Sequence, residues 1–158
     1  MKNRGAVLLF WFLCALSAYA ESPVHGIWLD EEVYTTWQRL GGNVYETGEG
    51  LPYERNIEGK MYVYFSYQTI IRNDLFRAGD SGSWDILFFE ESVDRIIYHL
   101  ASCFEKDSGG TITIILIAED IIYFDSYQGD DNFVREVRHS SLRFGEEYRC
   151  YRVRGNSN

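Results

Sequence analysis

From residue 41 onward, glycine cuts the chain into short pieces. Gly41-Gly42, Gly48 to Gly50, Gly79 to Gly82 and Gly109-Gly110 each mark a turn. The runs between them are rich in β-branched and aromatic side chains, which suit a pleated, half-buried surface. Met61 to Tyr67 alternates Met61, Val63, Phe65 and Tyr67 on one face with Tyr62, Tyr64 and Ser66 on the other. In Ser83 to Phe89, strict alternation sets Trp84, Ile86 and Phe88 against Leu87 and Phe89. Thr111 to Ala118 is almost wholly β-branched and apolar, the pattern of a buried strand. Glu119-Asp120 then turns the chain into Ile121 to Asp125, and Phe133 to Arg138 and Tyr148 to Arg154 complete the series. Short strands at this spacing predict an antiparallel sandwich or barrel.

Two stretches carry a different period. Asp30 to Leu40 has an acidic first turn, then Val33, Trp37 and Leu40 at helical spacing, with Gly41 as a stop, and predicts a short helix. Ser92 to Lys106 reads two ways. Val93, Ile96, Ile97, Leu100, Ala101 and Phe104 fit a helical face with Ser92 as N-cap. Arg95 to Phe104 also faces Thr111 to Ala118 across residues 106 to 110 as a hairpin, the favoured reading. A helix there would make the fold α+β instead of mainly β.

The N-terminus has the three parts of an export signal. Lys2 and Arg4 precede an uncharged apolar run from Ala6 to Leu16, and Ala18-Tyr19-Ala20 supplies small residues for a peptidase. Cleavage is expected between Ala20 and Glu21, leaving residues 21–158 as one β-rich domain in the periplasm or outside the cell. The run is short for a transmembrane helix, so no membrane span is expected once the signal is removed. Cys14 leaves an acylated lipoprotein as the rival, against which Leu13 stands where a small residue is usual.

Charge narrows the partners. The chain holds 15 basic and 24 acidic side chains, and two of the basic ones lie in the signal, so the remainder has 13 against 24 and a net charge near −11. Such a surface repels phosphate backbones and excludes nucleic acid. It can suit a basic protein partner, or simply keep the protein soluble. With Cys14 removed, Cys103 and Cys150 remain, and two cysteines in an oxidising compartment predict one disulfide, with two buried free thiols as the other reading.

Gly26-Ile27-Trp28 opens the first structured segment. A Gly-x-Trp at this place resembles the first-strand signature of the lipocalin-like (calycin) family. In that family the tryptophan closes one end of an eight-stranded barrel, and an arginine near the last strand packs across its ring. Arg149, Arg152 and Arg154 supply candidates for that cation–π contact. The family's middle motif is echoed only loosely by Tyr123 to Tyr127. The resemblance implies a mainly β fold: a single antiparallel up-and-down barrel with one or two short helices, holding a small apolar ligand without covalent chemistry.

No constellation argues for an enzyme. Gly79-Asp80-Ser81-Gly82 resembles the nucleophile region of chymotrypsin-like serine proteases, but Ser83 stands where that family has a further glycine, and His25 is the only histidine upstream. A polar turn accounts for it better. His25, His99 and His139 are scattered without metal-ligand spacing, although His99 and Cys103 would share a face if helical. Asp130-Asp131-Asn132 lacks a calcium-loop pattern and reads as a turn. Glu90-Glu91 and Glu146-Glu147 are adjacent pairs, which a strand points to opposite faces. No cofactor is expected. Aromatic density remains, with Trp28, Tyr62, Tyr64, Trp84, Tyr98 and Tyr123 as candidate ligand-lining residues. Two functions follow: an exported carrier of a small lipophilic ligand, or an acidic envelope or inhibitor protein that binds a basic partner.

Overall fold

The computed structural model describes residues 21–39, 54–57, 60–63, 69–79 and 81–154. The expected signal, with Ala20 on its side of the expected cleavage point, and Tyr64 lie outside the described residues. Among those described, the strands are β1 (Gly26–Asp30), β2 (Glu54–Ile57), β3 (Lys60–Val63), β4 (Thr69–Ile71), β5 (Leu75–Ala78), β6 (Gly82–Glu91), β7 (Arg95–Ser102), β8 (Gly109–Ala118), β9 (Ile121–Gly129) and β10 (Cys150–Val153). The helices are α1 (Glu31–Arg39) and α2 (Asp131–His139). Strands β1 and β4 to β10 close into one eight-stranded antiparallel barrel, and β2 and β3 form a separate hairpin. The barrel is a meander in which β1 pairs with both β4 and β10.

The ambiguous stretch is a strand. β7 pairs residue by residue with β8, from Arg95 opposite Ile115 to Ala101 opposite Gly109, and Ser92 to Asp94 form the turn that leads in from β6. Val93, apolar in the helical reading, is fully exposed at that turn. β8 buries Ile112 and Ile114 toward the axis and leaves its other face partly open, so it is buried on one side only.

One expected strand is a helix. Phe133 to Arg138 lies within α2, because Asp130 caps it: the carboxylate accepts from the N–H groups of Asn132 and Phe133. Phe133 and Val137, four apart, then share the buried face. Glu136 turns toward the barrel, where one oxygen accepts from Trp84 Nε1 at 2.8 Å and the other from Ser102 Oγ. α2 thus lies across the end of the barrel where β6 and β8 begin and β7 and β9 end.

The opposite end is closed by the residues before β1. Trp28 is buried, donates from Nε1 to the Val24 carbonyl at 2.8 Å and lies under the Arg152 guanidinium at 4.7 Å from its ring centre. Arg152 also donates to the Pro23 carbonyl, and Ser22 Oγ meets the buried Tyr98 hydroxyl. Of the three candidate arginines, Arg152 makes the cation–π contact, an interaction worth about 1 kcal/mol.

Between plug and cap, side chains fill the axis. Phe76 stands edge-on to Trp84, Tyr98 and Phe124 with ring centres 5.6 to 6.1 Å apart. Outside the barrel, α1 lays Val33, Tyr34 and Trp37 over Leu29 of β1, and Tyr34 stacks on Tyr151. Among the described residues no helix is long and apolar enough to cross a membrane.

Two predictions follow from the α2 cap. A Cβ on Gly110 would sit 2.2 Å from the Gln128 carbonyl oxygen and 2.4 Å from the Phe133 ring. Gly110→Ala is therefore expected to cost about 2 kcal/mol, measured by urea unfolding; an unchanged midpoint would contradict this seating of α2. Asp130 is held down at about 2, chiefly by the Phe133 N–H, then by the Gly109 N–H and the Ser108 hydroxyl. Its charge therefore stabilises the fold above the ordinary carboxylate range, and the contribution is lost as pH falls through the folded value. The melting-temperature gap between wild type and Asp130→Asn should hold steady above about pH 5 and shrink toward pH 2. A gap independent of pH would show that the carboxylate has no such role.

Candidate functional site

The barrel's mouth opens beside α2, at the end away from the Trp28 plug. β1 ends there in Asp30, β4 starts in Thr69, and the segment after α2 crosses the opening before β10 begins at Cys150. Asp30 Oδ1 accepts from the Val33 N–H at 2.9 Å and so caps α1. Glu31 and Glu32 in the first turn complement the helix dipole. The crossing segment is tied to β9, with Phe144 bridging to Phe124 and the Gly145 N–H donating to the Phe124 carbonyl. Gly145 has φ of 126°, a conformation that only glycine adopts freely.

These elements enclose a cavity of about 590 Å³. Phe124, Leu142, Thr69 and Cys150 make a largely apolar floor. The rim carries the carboxylates of Asp30, Glu31, Glu32 and Glu147 against the guanidinium groups of Arg143 and Arg149. Arg143 lies 3.8 Å from Asp30 Oδ2 and 5.7 Å above the Tyr148 ring, so one cation is already engaged. Burial, then the Asp30 carboxylate, pushes the Cys150 thiol up to about 12, so it stays protonated and is a poor nucleophile.

The aromatic residues expected to line a ligand site are distributed differently. Trp28 is in the plug, Trp84 is bound to Glu136 under α2, and Tyr98 is bonded to Ser22 in the core. Burial pushes the Tyr98 hydroxyl upward, which keeps it neutral. Tyr123 sits between the inward Ile122 and Phe124 and is half-buried on the outer side of β9. None of these four borders the mouth cavity. Tyr62 lies in β3, whose side chains fall outside the described residues, as does the whole of Tyr64.

The other candidates have structural partners. Ser81 Oγ donates to the His139 carbonyl at 2.6 Å, tying the Gly79–Gly82 turn to the end of α2. His99 is on strand β7, where it pairs with Glu90 at 2.6 Å and stacks on Phe88 at 4.0 Å, so the helical His99–Cys103 face is not formed. Asp130 is the α2 cap.

The expected Cys103–Cys150 disulfide is not formed; both thiols are free. Cys103 is exposed just beyond β7, level with the start of β8, whereas Cys150 is paired with Ile122, opposite Leu116 near the far end of β8. By the shorter way round the barrel, three inter-strand steps, β7 to β8 to β9 to β10, already separate them by ~14 Å at about 4.8 Å per step. A disulfide tolerates a Cα separation of about 7 Å at most.

No protein-family model, curated protein or solved structure matches the chain.

The thiols differ in access. The Cys103 thiol is also pushed up, chiefly by burial, yet it is exposed beside Ser83 and Asp85. Ellman's reagent at mildly alkaline pH is expected to label Cys103 in the native processed protein, and Cys150 only after denaturation. If neither thiol reacts in denaturant without reductant, a bridge is present and this arrangement is wrong.

Proposed function

We propose that the chain is an exported, non-catalytic binding protein of calycin type that takes a small ligand at the barrel mouth. The observation that carries this reading is the cavity of about 590 Å³ with its floor of Phe124 and Leu142 under a charged rim. The volume falls within the usual range for small-molecule sites, roughly 300 to 1,000 Å³. The closed eight-stranded barrel and the packing of Arg152 on the tryptophan of Gly26-Ile27-Trp28 support the family reading. Four carboxylates against two guanidinium groups on the rim favour an apolar body with a cationic or hydrogen-bond-donating head. The signal-like pattern of residues 1–20 supports a periplasmic or extracellular setting for this activity.

The test uses N-phenyl-1-naphthylamine, an apolar fluorophore, with native mass spectrometry of protein purified from its own host. Thr35 lines the rim without entering the core, so Thr35→Trp fills the mouth while sparing the fold. Binding should weaken about tenfold in that variant, as expected when a steric block removes contacts worth about 1.4 kcal/mol. A co-purifying small mass lost on organic extraction would name the ligand class. A clean apo mass, together with probe binding indifferent to Thr35→Trp, would refute the mouth as the site.

A further inference from the structure

We propose that the outer face of β6 to β8, centred on Leu87 and Phe88, is a docking surface for a basic protein partner. This surface is separate from the mouth cavity. Its origin is a β-bulge. Ile86 pairs with Leu100 and Phe88 with the adjacent His99, so Leu87 is the extra residue on β6. A bulge turns neighbouring side chains out of strict alternation. Here Leu87 and Phe88 are both on the outside, 63% and 53% exposed, while Phe89 turns back to pack on the core. Two consecutive large apolar residues facing solvent are unlike the lone exposed residues that any surface carries.

A trough of about 420 Å³ lies beside them. Leu87, Phe88 and His99 form one side, and Ala101, Gly109 and Gly110 provide a floor almost without side chains. His99 holds the Phe88 ring parallel at 4.0 Å and is itself held by Glu90 at 2.6 Å. The anchor is therefore ordered before a partner arrives, which reduces the entropy lost on binding.

Charge complementarity selects the occupant. Asp85 and Glu90 flank Leu87 and Phe88 on β6, and Asp107 borders the trough; all three are exposed. Two cations lie near this face, Arg95 at the far end of β7 and exposed Lys106 beside Asp107 in the β7–β8 turn, so the three carboxylates still outnumber them. The whole chain has a net charge of −9. A second copy would bring acidic rim against acidic rim, which is repulsive. A partner presenting an apolar side chain between lysines or arginines would fill the trough and meet the three carboxylates. An arginine could also stack on the open side of Phe88.

The experiment titrates the full processed chain by calorimetry with a peptide of alternating lysine and leucine, and with its glutamate–leucine counterpart. The lysine peptide should bind and the glutamate peptide should not. Affinity should drop about tenfold in Leu87→Ser/Phe88→Ser, as for a hot-spot anchor. It should also drop in Asp85→Asn/Asp107→Asn, and with added salt as the Debye length shortens. Thr35→Trp, which blocks the mouth, should leave it unchanged. The proposal is overturned if the lysine peptide does not bind, or if it binds equally to the Leu87/Phe88 variant. It is also overturned if Thr35→Trp alone abolishes binding, which would put the peptide in the mouth, or if the protein dimerises through this face in sedimentation. Failure here leaves the fluorophore result standing, and the reverse also holds.

Discussion

An eight-stranded barrel has to fill its axis, and this one does so with aromatic rings whose polar atoms must then be satisfied. Phe76 supplies the centre, edge-on to Trp84, Tyr98 and Phe124. Trp28, Trp84 and Tyr98 each bring a donor into a space without bulk water, where a lost hydrogen bond is costly. Each donor is met by an element outside the eight strands or at their margin. Trp28 bonds to Val24 and Tyr98 to Ser22, which draws residues 22 to 24 into one end. Trp84 bonds to Glu136, which draws α2 over the other. The plug and the cap are thus the polar complement of an aromatic core.

That filling also decides where a ligand can go. The rings occupy the axis, so the open volume is left where the short β1, β4 and β10 meet the segment after α2. The same side chain serves both regions: Phe124 is buried in the core and forms part of the mouth floor. Asp30 likewise caps α1, faces Arg143 and raises the Cys150 thiol. The mouth is built from residues already committed to folding, which makes its shape as firm as the barrel itself.

The sequence carried the barrel plainly and the site poorly, for physical reasons. Glycine turns and alternating apolar runs encode strands through local rules, and Gly26-Ile27-Trp28 with Arg152 encodes the closed end through a single contact. Phe133 to Arg138 is ambiguous in sequence because six residues with three apolar side chains, Phe133, Val134 and Val137, fit both periods. The deciding signal was Asp130 as an N-cap, visible in sequence but also typical of turns. The predicted disulfide failed because strand register, not spacing in the chain, sets the distance between Cys103 and Cys150. The mouth was missed for a related reason. Asp30, Phe124, Leu142 and Cys150 come from distant parts of the chain, and only closure of β1 onto β10 assembles them.

Strict alternation failed at one further point, and there it has a consequence for the surface. Reading β6 with period two puts Phe88 with Trp84 and Ile86 on the buried face, but the extra residue at Leu87 sends Phe88 outward and Phe89 inward. The trough beside Phe88 has a separate cause. Gly110 lacks a side chain because Phe133 and the Gln128 carbonyl fill that space, and Gly109 because the Leu100 carbonyl does. The space beside Gly110 is taken inside the barrel by Phe133, while on the outer face it is the Leu100 carbonyl that keeps Gly109 bare, and the bulge raises the wall next to it. Substituting Gly110 would press on the Phe133 seat of α2, and substituting Gly109 would press on the Leu100 carbonyl of β7. The bulge residues Leu87 and Phe88 project into solvent and can change without disturbing the core, so the outer face can be tested separately from the fold.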